Sequence, residues 1–171
     1  MAVRVGLGTP VYKGKNMEKI EFMKEALKEA KVAFDIGEIP VGAIIVKDGQ
    51  IIAKAHNLKE TSKNAIYHAE ILAIKEASKK LDSWRLTDCE MYVTLEPCPM
   101  CAGAIINSRI KKLYIGTTDE VMGACGTALN LLENYKFNHI VQVEKYILKD
   151  ECKDILENFF EKLRKGKKKN G

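Results

Sequence analysis

The feature that most restricts the fold is the order in which two hydrophobic periods alternate along the chain. Ile20, Met23, Leu27 and Ala30 recur at helical spacing, which predicts a helix over residues 19–35, closed by Gly37 and Pro40. The run Val41-Gly42-Ala43-Ile44-Ile45-Val46 has the length of a strand, Asp48-Gly49 is a hairpin turn pair, and residues 50–56 form the returning strand. A polar loop runs through Asn64. Then follow a helix over 68–80 with Ile71, Leu72, Ile74 and Ala77 on one side, a strand over 90–95, a helix opened by Pro97 and Pro99 and ending at Asn107, and a strand over 112–116. A loop over 117–127, a short helix over 128–134, a strand over 140–146 and a helix over 150–164 complete the reading. One hairpin followed by alternating helix and strand implies an α/β fold. The expectation is a three-layer α/β/α sandwich on a mixed five-stranded sheet, antiparallel at the hairpin and mostly parallel afterwards. The periods do not set the strand order.

Composition narrows the class. A chain of 171 residues is the size of one domain. With 46% apolar and 30% charged residues it is not a disordered polymer. No apolar run approaches the roughly 18–20 residues of a membrane span. Residues 1–16 carry no apolar signal core and are read as a flexible extension, which leaves the cytoplasm as the default compartment. The domain proper is expected over 17–164, followed by a basic tail at 165–171. Of the 28 basic residues, six lie in the last ten positions with no acidic neighbour, so the rest of the chain holds 22 basic and 23 acidic groups. Such a tail is either a solvated end or a contact for nucleic-acid phosphates.

The cysteines carry the chemistry. Five thiols, an odd number, argue against a disulfide framework. Cys98 and Cys101 lie three apart in the first turn of a predicted helix, directly after the strand ending Thr94-Leu95-Glu96. The positive end of a helix favours thiolate, and residues three apart share a face, so both sulfurs can reach one ion. His68, at the start of the preceding helix, is the matching nitrogen. Two sulfurs and one imidazole suit zinc and leave a fourth position for water, the pattern of a catalytic site. Glu70, two residues from His68, is then placed to carry protons. Two other readings compete. A thioredoxin-like redox pair would use Cys-x-x-Cys alone and give His68 and Glu70 no task. A closed structural zinc site would take a fourth ligand from Cys89, Cys125, Cys152, His56 or His139.

The joint pattern, His-x-Glu followed by Pro-Cys-x-x-Cys, matches the signature of the zinc nucleobase deaminases. The wider chain resembles the bacterial tRNA-specific adenosine deaminases, within the cytidine/deoxycytidylate deaminase superfamily. The segments that carry the likeness are Gly-Glu-Ile-Pro-Val-Gly-Ala (37–43), Ala-His-Asn (55–57), His-Ala-Glu (68–70), Trp-Arg-Leu (84–86), Tyr-Val-Thr-Leu-Glu-Pro-Cys-Pro-Met-Cys-Ala-Gly-Ala (92–104), Phe-Asn-His (137–139) and Phe-Phe-Glu-Lys-Leu-Arg (159–164). The zinc motif alone fits the whole superfamily; the last two segments narrow it. The likeness implies a cytidine-deaminase-like fold and hydrolysis of adenosine to inosine at the wobble position of an arginine tRNA. It also implies a homodimer with one zinc ion per subunit. It makes His68, Cys98 and Cys101 the zinc ligands and Glu70 the proton shuttle. Asn57 becomes a partner of the flipped base, Asn138 a contact to the anticodon loop and Arg164 a phosphate contact. Of the adjacent Phe159 and Phe160, one is expected inside and the other near RNA or a partner subunit.

Two segments depart from the family pattern. Asn64-Ala65-Ile66-Tyr67 precedes the His-Ala-Glu where a run ending in a small residue is usual. Glu120-Val121-Met122 follows Asp119 where a lysine-bearing run is usual. Both bear on substrate specificity. The rival functions are a deaminase of a free base or nucleoside, of the guanine or cytosine type, and a zinc-stabilised RNA-binding module without catalysis.

Overall fold

The computed structural model describes residues 15–133 and 136–170. Its elements are α1 (Lys15–Asp35), β1 (Gly42–Lys47), β2 (Gln50–His56), α2 (Ala69–Leu81), β3 (Cys89–Leu95), α3 (Pro99–Asn107), β4 (Lys112–Thr117), β5 (Gln142–Glu144) and α4 (Lys149–Lys169). The sheet runs β2-β1-β3-β4-β5. β1 pairs antiparallel with β2 and β3, and β3, β4 and β5 run parallel, so the sheet is mixed as the sequence implied. The hairpin turns where expected. Asp48 and Gly49 take φ of 51° and 73°, the pair of left-handed residues that matches the twist of the flanking strands.

The central strands are apolar on both sides because helices cover both faces. Ala43 and Ile45 of β1, Met91 and Val93 of β3, and Leu113 and Ile115 of β4 pack with Ala69, Ala73, Ala77, Ala102 and Ile105 of α2 and α3. Ile44, Val46, Tyr92 and Tyr114, on the alternate positions, pack with Met23 and Ala26 of α1 and Cys152 of α4. This is the three-layer sandwich. Small residues set its spacing. A Cβ on Gly42 would meet the Ala26 carbonyl and come within 2.6 Å of the Ala30 amide, so α1 lies directly on the backbone of β1. Among the described residues no helix is long and apolar enough to cross a membrane.

Four expectations need correction. The short helix over 128–134 is absent among the described residues: 128–133 make turns, with a bridge between Cys125 and Asn130, and Asn134 lies outside the described residues. Its amides bond back to the preceding loop, Ala128 and Leu129 donating to the Gly123 carbonyl at 2.9 and 3.1 Å and Leu131 to Ala124 at 2.9 Å. The strand over 140–146 shrinks to Gln142–Glu144, because Tyr146 and Leu148 turn left-handed at φ of 71° and 52°. The last helix is longer than expected, running through the basic tail to Lys169. Cys98 is the N-cap of α3 and lies just outside its first turn. Of the expected extension over 1–16, residues 1–14 lie outside the described part, and Lys15 and Asn16 belong to α1.

Candidate active site

The site forms where β3 ends and where α2 and α3 begin. His68 is the N-cap of α2 and Cys98 the N-cap of α3, both extended, with ψ of 157° and 173°. Neither side chain caps its own helix, so both are free for other work. His68 Nδ1 lies 3.7 Å from Cys98 Sγ and 3.5 Å from Cys101 Sγ. These three donor atoms lie within 4.8 Å of one another, and among the described residues no fourth His, Cys, Asp or Glu joins them. Cys89, Cys125 and Cys152 are buried apart from the group. Two sulfurs and an imidazole nitrogen converging in this way fit a borderline-soft divalent ion.

The electrostatics separate the groups. Cys101 donates a hydrogen bond to the Cys98 sulfur, which holds Cys98 down at about 4 in spite of its partial burial. That bond and burial push the Cys101 thiol up. The hydrogen bond with Cys98 raises His68. Glu70, in the first turn of α2, is 4% exposed. Burial pushes its carboxyl up to about 7, with its own backbone amide and His68 opposing.

His68, Glu70 and Cys98 open into a cavity of about 330 Å3, the size of a small-molecule site. Asn57 lines it as well, 6% exposed at the end of β2. Its Nδ2 donates to the Ile39 carbonyl at 3.3 Å, and its Oδ1 accepts from the Lys59 amide at 3.1 Å. Asn57 thus holds the turn after β2 while facing the cavity.

The other sequence-derived residues lie elsewhere. Asn138 is exposed. Its neighbour His139 bonds through Nε2 to the Ile110 carbonyl at 2.7 Å, and Lys111 donates to Cys89 at the start of β3. Cys98 follows the other end of β3, whose seven residues span roughly 20 Å at about 3.3 Å each. Asn138 is therefore at the opposite end of the sheet from its own chain's cavity. Arg164 is exposed on α4. Phe159 is buried against Phe34 with ring centroids 5.8 Å apart, and Phe160 is 40% exposed, the split expected of adjacent helical residues. Tyr67 stands outside the cavity wall: its carbonyl accepts from Leu58, and Lys75 lies 5.6 Å from its ring centroid. Met122, in contrast, does line the cavity.

Sequence reasoning missed Glu96. It is 2% exposed and binds the loop after β4. Its carboxylate accepts from the amides of Asp119 at 3.4 Å, Cys125 at 3.0 Å and Thr127 at 3.3 Å, and from Thr127 Oγ1 at 2.5 Å. The signal was present, since a carboxylate inside an apolar strand-to-helix junction needs several donors. Glu38, 1% exposed, was missed too; its Oε1 accepts from the Thr61 amide at 2.5 Å and holds the loop after β2. No local pattern marks it.

Similarity to known proteins agrees with this geometry. The MafB19-like deaminase family matches residues 17–164. The tRNA-specific adenosine deaminase of Bacillus subtilis is 52% identical over 147 residues, 86% of this chain and 91% of that protein. A solved structure from studies of A-to-I editing by tRNA A34 deaminases superposes with a TM-score of 0.77 at 38% identity, covering 80% of this chain and 99% of that one. The guanine deaminase structure from Bacillus subtilis reaches a TM-score of 0.55 at 43% identity, over 57% of this chain and 63% of that one. The Bacillus subtilis adenosine deaminase and the tRNA A34 deaminase structure each match 80% or more of this chain, and so the chain belongs to the tRNA-specific adenosine deaminase family.

Proposed function

We propose that the chain hydrolyses adenosine at the wobble position of a tRNA anticodon, that of an arginine tRNA, to inosine and ammonia. It acts as a cytoplasmic homodimer with one zinc ion per subunit. The observation that carries this reading is the convergence of His68, Cys98 and Cys101 at the edge of a cavity that His68, Cys98 and the buried Glu70 line. Zinc held by His68, Cys98 and Cys101 supplies the Lewis acidity that lets water lose a proton near neutral pH. Glu70 accepts that proton and returns it to the base at N1 as the C6–O bond forms. It then takes the proton of the new C6 hydroxyl and hands it to the departing amine as the C6–N bond breaks and the C6 carbonyl forms. Adenosine and water become inosine and ammonia, and Glu70 ends as it began. Asn57 keeps one N–H and one oxygen lone pair beyond its two backbone bonds, which suits it to hold the base. Arg164 meets a phosphate, and Asn138 meets RNA distant from the flipped base.

The test is sequencing of the anticodon loop of arginine tRNA after incubation with the protein. The wobble adenosine should read as inosine, and Glu70→Gln should abolish the change while metal and RNA remain bound. Ammonia release from free guanine, adenine or cytidine, without editing of the stem-loop, overturns the reading. The likeness to guanine deaminase over 57% of this chain makes that free-base chemistry the second reading. A protein unaffected by Glu70→Gln would be a binding module.

A further inference from the structure

Two parts of the cavity's rim hang on buried carboxylates. The loop after β4, with Met122, is tied to Glu96. The loop after β2, with Asn57 and Lys59, is tied to Glu38. Glu38 is 1% exposed and lies outside the cavity lining. Its Oε1 accepts from the Thr61 amide at 2.5 Å, and its Oε2 is buried without a hydrogen-bond partner among the described residues. A carboxylate with an orphaned oxygen is less favourable in the interior than an apolar side chain of the same volume. What it adds here is the one bond to a loop amide.

That bond closes a ring. Glu38 follows the left-handed Gly37, at φ of 83°, and its amide donates to the Ala33 carbonyl at 2.9 Å, which seats it on the end of α1. The next carbonyl, that of Ile39, accepts from Asn57 Nδ2 at 3.3 Å. Asn57 Oδ1 accepts from the Lys59 amide at 3.1 Å, and Thr61 then returns to Glu38. Three hydrogen bonds and two short runs of backbone, 38–39 and 59–61, thus form a closed circuit through the Asn57 carboxamide. The Lys59 link is local, the side-chain turn that asparagine makes with the backbone two residues on. The Ile39 link is long-range and the longest of the three, so it depends on how closely the two runs are held. The short, charge-assisted bond from Thr61 to Glu38 holds them.

Accepting that Asn57 holds the base, as the proposed function does, we propose that Glu38 is a positioning residue for the deamination. By tying the α1–β1 connection to the loop after β2, it aims the Asn57 carboxamide and so sets the base against Glu70. It acts on the base only through Asn57.

The test is a double-mutant cycle on deamination of the wobble adenosine in an anticodon stem-loop. Glu38→Met keeps the volume and removes the acceptor, whereas Glu38→Gln keeps both. Glu38→Met should lower kcat by up to about 10²-fold, the effect of a misplacement of about 1 Å. KM for the stem-loop, which phosphate contacts dominate, should hold. Hydrogen exchange at the Lys59 and Thr61 amides should quicken, and metal content should persist. Glu38→Gln should restore both kcat and protection. Asn57→Ala should lower kcat by itself, and Glu38→Met combined with Asn57→Ala should fall no further than Asn57→Ala alone.

A native kcat in Glu38→Met or in Asn57→Ala overturns the inference. Losses that multiply in the double variant overturn it, because Glu38 would then act by another route. A loss confined to KM does so too, since the loop would then serve RNA binding and not the base. A Glu38→Gln enzyme as slow as Glu38→Met would assign the effect to charge, and a Glu38→Met protein that unfolds or sheds its metal would make Glu38 a folding residue; either result overturns it. A native protein that deaminates free guanine, adenine or cytidine and leaves the stem-loop untouched sinks the proposed function alone. The cycle is then run on that compound, and Glu38 stands or falls by the same results. A native protein inert on all of them overturns both.

Discussion

The two helix starts and the loop after β4 build two walls of one cavity by opposite means. At the helix starts, position in the chain is sufficient. His68 and Cys98 occupy N-cap sites, where serine, threonine, aspartate or asparagine would ordinarily satisfy the helix, and both decline that role. The extended backbone of an N-cap presents the side chain beyond the helix end, and two such ends brought together by β3 make a donor cluster. The loop has no such local rule. Residues 119–127 are shaped by one buried carboxylate, Glu96, reaching across 23 to 31 positions of sequence. One wall is encoded by short-range spacing and the other by a single long-range hub, so the two should fail differently.

The largest effects belong to the helix starts and should appear in turnover. Glu70→Gln removes the proton carrier and keeps the side chain's volume, so activity should fall by about 10²–10⁴-fold with little change in thermal stability. Cys98→Ala should abolish both metal content, read by mass spectrometry or atomic absorption, and editing. A chelator should reproduce that loss in the native protein, and added zinc should reverse it. If Glu70→Gln were to lower stability as much as activity, Glu70 would be a packing element and the contrast between the walls would vanish.

The hub should show the reverse signature. Glu96→Ala strips four hydrogen bonds from a 2% exposed carboxylate and leaves the Cys125 amide, itself buried, without a partner. A loss of about 3 kcal/mol follows from several charge-assisted bonds. For a chain of this size that is a Tm lower by about 6–12 °C. Metal content should persist, since no ligand is touched. A variant that keeps its Tm and loses its metal would place Glu96 with the ligands.

The same division explains what could be read in the sequence. Strand and helix types, the Asp48-Gly49 hairpin and the metal cluster rest on periods, turn residues and three-residue spacings, which act over one or two turns of chain. They stand in the structure nearly as read. The misreadings fall where distant partners decide. The segment 128–134 has the composition of a helix, and its amides are claimed by Gly123 and Ala124 before a helix can form. The strand expected over 140–146 is cut short by left-handed Tyr146 and Leu148, an edge with one neighbour to hold it. The place of Asn138, at the other end of the sheet from the cavity, is set in the same way by the long-range His139–Ile110 hydrogen bond.

The smallest effect gives the finest resolution of the hub. Thr127 contributes two donors to Glu96, its amide at 3.3 Å and its hydroxyl at 2.5 Å. Thr127→Val keeps the shape and the amide and deletes the hydroxyl alone. Glu96 then retains three backbone donors, so its charge is not left bare, and the cost should be about 1 kcal/mol. That is a Tm shift of about 2–4 °C. Because Asp119 and Cys125 stay bound, the rim should hold its place and KM should be unchanged. A shift as large as that of Glu96→Ala would mean that the hydroxyl organises the carboxylate, and that the loop depends on a side-chain pair in which the backbone amides merely follow.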